Sequence, residues 1–220
     1  MKYLIFSDTH LTAKFDKKKY TFLKKIISEA DRVIINGDFW DGYEIYFNQF
    51  ISSPWKKLFP LLKKKQAVYL YGNHDKKSLN DKRVSLFSTK QALYHLLKSS
   101  NRSFWIEHGN KYFPDWEEKV QIKQPNYVIN RLYNITEKIL FTIFGTKIQT
   151  VFFHQFNKTI EQAIQKTIPK RYIFICGHTH AQELDLKNHF INTGIIRHGL
   201  AQYLLIENGK LELKSERYDK

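Results

Sequence analysis

Along the N-terminal third of the chain, short apolar runs alternate with stretches in which apolar residues recur every three or four positions. Tyr3 to Ser7 reads as a strand, and Tyr20, Leu23, Ile26, Ile27 and Ala30 then repeat at helical spacing. Val33 to Asn36 predicts a second strand. Trp55, Leu58, Phe59 and Leu62 mark one side of a second helix, which leads into a strand from Ala67 to Tyr71. Ser88-Thr89-Lys90-Gln91 has the form of a capping box, so a helix is predicted behind it with Ala92, Leu93, Leu96 and Leu97 on its apolar side. Phe104 to Glu107 predicts a strand that stops at His108.

From about Asp115 to Ile168 the pattern changes to long helix-compatible stretches without strand-like alternation, which reads as an insertion or cap. Tyr172 to Cys176 and His189 to Thr193 return to strands. Asn208-Gly209 joins Tyr203–Glu207 to Lys210–Leu213 as a hairpin, because both turn residues tolerate a left-handed backbone. No repeat or low-complexity linker divides the chain, so one domain is expected over residues 1–220, with 115–168 as its helical cap. A chain of 220 residues can bury roughly 70% of its unfolded surface around one core. The βα order alone suggests an α/β fold with a parallel sheet. Loops at the carboxyl ends of such strands share one rim, where Asp8, Asp38 and Asn73 would meet.

Charge adds a constraint on partners. Lysine and arginine outnumber aspartate and glutamate by 36 to 21, a net +15, so the surface attracts phosphates, nucleic acid or anionic lipid headgroups without choosing among them. The runs Lys17 to Lys19 and Lys63 to Lys65 read as solvated helix faces. Cys176, the single cysteine, closes an apolar run and reads as a buried structural thiol of a reducing compartment. The apolar run at Met1 to Asp8 is too short for a signal peptide or a membrane span, so a soluble, cytoplasmic chain is expected.

Five segments carry the candidate chemistry: Asp8-Thr9-His10, Gly37-Asp38-Phe39-Trp40-Asp41, Gly72-Asn73-His74-Asp75, His108-Gly109 and Gly177-His178-Thr179-His180. Five of the nine histidines fall within them, beside glycines and at the ends of predicted strands. Divalent transition metals accept imidazole nitrogen and carboxylate oxygen, and a pair of ions about 3.5–4 Å apart needs an anionic bridge. Asp38 is well placed for the bridge, Asp8 and His10 can face one ion, and Asn73 offers a neutral oxygen. The absence of cysteine from the set disfavours a thiolate-rich structural zinc site. His95, His154, His189 and His198 lie in no motif and read as ordinary structural histidines.

In this order, Asp-x-His, Gly-Asp-x-x-Asp, Gly-Asn-His-Asp, His-Gly and Gly-His-Thr-His resemble the calcineurin-like metallophosphoesterase superfamily across residues 8 to 180. The resemblance implies a four-layer α/β/β/α sandwich of two mixed sheets flanked by helices. It implies two divalent metal ions, manganese above iron or zinc. Asp8, His10, Asp38 and His180 would hold one ion, and Asp38, Asn73, His108 and His178 the other. The implied reaction is in-line attack on phosphorus by a hydroxide generated on the metals, with His74 acting on the leaving group and Asp75 orienting its ring. Asp41 is expected behind the ligands.

Relatives commonly carry histidine or aspartate where this chain has Asn110, so a polar contact to substrate from that position is open. Asn192-Thr193-Gly194 with Arg197 resembles a late loop of the family near the site, where Arg197 could hold a substrate phosphate or stand on the surface. The helical cap, with Phe141, Ile143, Phe144, Ile148, Val151, Phe152, Phe153 and Phe156, carries more apolar surface than one stripe requires. It packs on the domain, or else forms an acyl-chain groove or a patch for an anionic membrane surface. The latter arrangement is similar to the UDP-2,3-diacylglucosamine pyrophosphohydrolase branch. A nuclease, suited by the basic surface but less favoured, and a non-catalytic binding scaffold are the remaining readings.

Overall fold

The computed structural model of the chain describes residues 1–114, 127–145, 147 and 153–219. β1 (Lys2–Phe6), β2 (Arg32–Asn36) and β3 (Val68–Leu70) run parallel at the centre of the first sheet. β1 and β2 are linked by α1 (Lys17–Glu29), and β2 and β3 by α2 (Phe47–Ser52), a 3₁₀ turn over Pro54–Leu58 and α3 (Phe59–Lys64). Asp16 caps α1 by accepting from Lys19 N at 3.0 Å. Pro54 and Pro60 stand near the starts of the 3₁₀ turn and of α3, where a missing N–H costs nothing.

β4 (Lys90–Ala92) extends this sheet parallel to β3. On the opposite side β11 (Leu200–Glu207) pairs antiparallel with β1, with the short β10 (Ile196–Arg197) and with the full length of β12 (Lys210–Arg217). Asn208 and Gly209, at φ 49° and 81°, make the predicted hairpin turn. The second sheet contains β5 (Tyr94–Ser99), β6 (Arg102–Glu107), β7 (Tyr172–Cys176), β8 (Glu183–Asp185) and β9 (Phe190–Asn192), in the spatial order β5-β6-β7-β9-β8.

Strand alternation explains the layers. In β1, Ile5 faces one way and Leu4 and Phe6 the other; in β2, Ile34 opposes Val33 and Ile35. Ile5, Ile34, Leu70, Leu204 and Ile206 pack against Leu97, Phe104, Ile106, Ile175 and Ile191 of the second sheet. On the outer face of the first sheet lie Leu23, Ile26 and Ile27 of α1 with Leu58 and Leu62. Two further helices are described, α4 (Tyr127–Phe144) and α5 (His154–Thr167). Ile160 and Ile164 of α5 cover Phe174, Cys176 and Phe190 on the outer face of the second sheet. The result is the four-layer α/β/β/α sandwich, with the two sheets packed face to face and helices on their outer faces. Cys176 is fully buried.

The predicted helix behind Ser88 does not form. Residues 90–92 and 94–99 are strands, with Leu97 and Ser99 turned inward and Leu93, Tyr94 and Leu96 exposed. Ser88 Oγ donates back to Val84 O at 2.8 Å rather than capping a helix. The six-residue antiparallel register of β5 with β6 overrides the local spacing of the leucines. Lys19 is a second correction: Lys17 and Lys18 are solvated, but Lys19 is buried and its ammonium donates to Thr9 O. Of the cap residues, α4 lays Phe141 on Ile195 and Leu200, while Ile143 and Phe144 are exposed. Phe156 stacks on Phe113 and Phe153, and Ile148, Val151 and Phe152 lie outside the described residues. Among the described residues no helix is long and apolar enough to cross a membrane.

Candidate metal centre

All five motif segments leave the carboxyl ends of strands on one rim spanning both sheets. Beyond β1 and β2 the two loops run side by side, with His10 N donating to Asp38 O at 2.9 Å and Leu11 N to Phe39 O at 3.0 Å. Across the sheets, Asn36 Nδ2 donates to Glu107 O and Ile175 O, and Gly177 N to His108 O at 3.0 Å. Asn192 donates to Gly177 O and Thr179 Oγ1, both at 2.8 Å, which fixes the last histidine loop to β9.

These turns are strained where the chemistry lies. Asp8, His10, Asp38, His178 and His180 all have left-handed backbones, with φ between 41° and 67°, at roughly 1–2 kcal/mol per residue. Close approach explains two glycines. A Cβ on Gly72 would stand 2.1 Å from Asp38 Oδ1, and one on Gly177 would stand 2.3 Å from Asp8 Oδ2.

Asp38 Oδ2 lies 3.6 Å from His10 Nε2 and 3.3 Å from His108 Nε2, so one carboxylate oxygen stands between two imidazoles from different sheets. Asp8 Oδ1 lies 3.5 Å from His180 Nε2 and 4.0 Å from both His10 Nε2 and His108 Nε2. Asn73 Oδ1 approaches His108 Nε2 at 3.1 Å. Asp8, His10 and His180 form one compact donor set, and Asp8, Asp38 and His108 another. His178 points its Nε2 at Phe113 O, 2.6 Å away, and its ring centroid lies 5.3 Å from that of His108. Its remaining ring nitrogen is therefore Nδ1, whereas His10, His108 and His180 present Nε2.

The donors carry mutually adjusted charges. Burial opposes protonation of His108 and His180, but Asp38 and Asp8 beside the first, and Glu137 and Asp8 beside the second, lift both to about 10. Burial, with the charges of Arg197 and His74, holds His10 near 3; burial, with His108, holds His178 near 4. Burial also pulls Asp38 upward, yet His108 and His74 keep it well below the usual carboxylate range.

His74 sits at the edge of the cluster, its ring 4.4 Å from that of His10 and 4.5 Å from that of Tyr43. Its orienting carboxylate is not Asp75. Asp75 accepts from the backbone N–H groups of Gly72, Phe39 and Asp38 at 2.7, 2.7 and 3.1 Å, which commits both oxygens to pinning the loops. Asp41 instead places Oδ1 3.1 Å from His74 Nδ1 and Oδ2 3.4 Å from His10 Nδ1, so it stands behind both rings. Arg197 is not a surface residue: it is buried, pairs with Glu137 at 2.9 Å and donates to Asn134. Asn110 is half-buried in the turn after His108. His154 pairs with Glu183 at 3.1 Å, and His198 approaches Glu137 at 2.8 Å.

Glu137 of α4 is the residue that the sequence reading missed. Its carboxylate meets His180 Nδ1 at 2.6 Å together with Arg197 and His198. One signal was present: Glu137 is the only acidic residue between Glu118 and Glu161.

A family model for the calcineurin-like phosphoesterase superfamily domain matches residues 1–212. The chain belongs to this superfamily. As a calcineurin-like enzyme it is a metal-dependent phosphoesterase. No curated protein matches the chain in sequence. Its fold is similar to that of a novel archaeal phosphodiesterase, at 18% identity and a TM-score of 0.51 with 99% of each chain covered. It is also similar to a Vps29 variant from Entamoeba histolytica, at 13% identity and a TM-score of 0.50, again over 99% of each chain.

The rim suits the divalent ions that this superfamily implies. Both ring nitrogens of buried His10 lack a hydrogen bond, and the nearest carboxylate oxygens stand 3.4 and 3.6 Å away. A buried imidazole left in that state is costly unless a cation takes its lone pair.

Proposed function

We propose that this calcineurin-like phosphoesterase works with two divalent ions. One would be held by Asp8, His10, Asp38 and His180, the other by Asp38, Asn73, His108 and His178. The observation that carries this reading is Asp38 Oδ2, placed between His10 Nε2 and His108 Nε2 as a bridging ligand would be. A bound pair supplies Lewis-acid neutralisation of the phosphoryl oxygens and lowers the pKa of water for in-line attack. Manganese is the proposed metal on the family resemblance alone, because mixed nitrogen and oxygen ligands accept iron and zinc as well.

His74 has its Nδ1 on Asp41, and its Nε2 is the proposed donor of a proton to the departing oxygen. Asp41 keeps that ring in place through one oxygen and sets the other 3.4 Å from His10 Nδ1. The test is a substrate panel of phosphomonoesters, cyclic and linear phosphodiesters, nucleotide-sugar lipids and nucleic acid, run with and without added manganese. Hydrolysis of at least one class, tied to a stoichiometry of two ions, is expected. Two bound ions without any turnover would favour a binding scaffold, and cleavage of unmodified strands with steep salt dependence would favour a nuclease.

A second reading narrows the substrate to an acylated nucleotide sugar of the UDP-2,3-diacylglucosamine type. It is supported by the line of exposed Leu132, Ile135, Ile139 and Ile143 on α4, the helix that carries Glu137 to the centre. Turnover of a diacylated but not a deacylated substrate in the same panel would establish it.

A further inference from the structure

Each candidate ligand histidine has its second ring nitrogen beside an oxygen. His108 Nδ1 meets Asn36 O at 2.8 Å, His178 Nε2 meets Phe113 O at 2.6 Å, and His10 Nδ1 faces Asp41 Oδ2 at 3.4 Å. The oxygens on His108 and His10 come from the strands and loops of the first sheet. His180 differs: its Nδ1 is held at 2.6 Å by Glu137 Oε1, from a helix outside both sheets and 43 residues away.

We infer that Glu137 is the positioning residue of His180, so that docking of α4 completes one of the two proposed metal sites; this rests on the two-ion reading above. A carboxylate accepting from Nδ1–H selects the tautomer whose Nε2 lone pair points the other way. Here that direction is Asp8 Oδ1, 3.5 Å beyond. Glu137 is itself held: its second oxygen takes Arg197 Nη1 at 2.9 Å and His198 Nε2 at 2.8 Å, and the residue is only 3% exposed. One turn earlier Asn134 donates to Glu44, in the loop after β2, and accepts from Arg197. The helix therefore spans the rim from the β2 loop to the β10 loop and delivers one charge to a ligand between them. Oriented carboxylates behind metal-bound histidines typically matter by about 10–100-fold in metal affinity.

The experiment is calorimetric titration of manganese into the full-length, metal-free protein, paired with electron paramagnetic resonance of the loaded form. Glu137→Ala is expected to weaken one of the two ions by about 10–100-fold and to diminish the signal of the coupled pair. Glu137→Gln keeps an oxygen for Nδ1 and should fall between wild type and alanine; it also serves if the alanine variant does not fold. Asn134→Ala loosens the same helix but leaves the Glu137 carboxylate in place, so it should lower the melting temperature and weaken the same ion less than Glu137→Ala does. The inference is overturned if Glu137→Ala and Glu137→Gln bind both ions as tightly as wild type, or if Asn134→Ala weakens that ion as much as Glu137→Ala does. A wild-type protein that takes up fewer than two ions would instead defeat the two-ion reading, and the inference with it.

Discussion

His74 Nδ1 lies 3.1 Å from Asp41 Oδ1, while the neighbouring Asp75 turns its carboxylate into the backbone of the β2 and β3 loops. The two carboxylates thereby serve different partners. His74→Ala should keep the metals and lose about 10²–10⁴-fold in turnover, the usual range for a general acid. Asp41→Asn should lower turnover less and shift its pH profile, because the ring keeps a partner but loses the charge. Asp75→Asn leaves a single accepting oxygen for three N–H donors, and should cost roughly 1–3 kcal/mol of stability in denaturant melts. Full activity in His74→Ala would remove that residue from the chemistry.

Gly177 is the point where the last histidine loop passes over the first strand. A Cβ there would lie 2.1 Å from Ser7 Oγ and 2.3 Å from Asp8 Oδ2, both of them buried. Gly177→Ala must displace Asp8 or the loop that carries His178 and His180. We expect about 1–3 kcal/mol of destabilisation, as for other overpacked sites, with metal content by mass spectrometry reduced below wild type. A variant with unchanged metal content would show that the rim can give way without moving its donors.

The strand ends and the order of the motifs were legible in the sequence because each apolar run stops at glycine, aspartate or histidine, a local signal. Leu93, Leu96 and Leu97 were not legible, since three leucines at that spacing suit a helix face as well as a strand whose inner side is set by pairing with β6. Asp41 and Asp75 follow a similar logic: adjacency suggested that Asp75 serves His74, but the turn at Gly72 points it beneath the β2 loop. Glu137 was out of reach because only the docking of α4 brings it to His180. Arg197 looked exposed for the same reason, its partners Glu137 and Asn134 both lying on that helix.

Metal loading should release protons. In the metal-free protein His108 and His180 are held near 10 by the carboxylates around them, which outweigh burial, so both are protonated at neutral pH. Ligation requires neutral imidazole, so filling both sites near pH 7 should release about two protons, and apparent affinity should rise with pH up to about 10. Calorimetry in buffers of different ionisation enthalpy measures the number. Asp38→Ala, which removes the nearest carboxylate from His108, should abolish paired loading and turnover together; loading without proton release in wild type would contradict the ligand assignment.

Glu161 on α5 gives a pH effect on stability away from the centre. Its Oε1 lacks a hydrogen-bond partner, and burial, then the charges of Glu183 and Asp185, push its carboxyl up to about 7. The folded state therefore holds this proton more tightly than the unfolded chain, whose ordinary value is 4.5. The stabilisation from the protonated form is fully present below pH 4.5 and is lost as pH rises through 7. Glu161→Gln cannot ionise, so its stability relative to wild type should increase from pH 5 to pH 8. Because the side chain is only partly buried and solvent screens its neighbours, the gain should not exceed about 1 kcal/mol, or roughly 2–4 °C in melting temperature. Melting curves for the two proteins that stay parallel across that window would show that Glu183 and Asp185 do not act on Glu161.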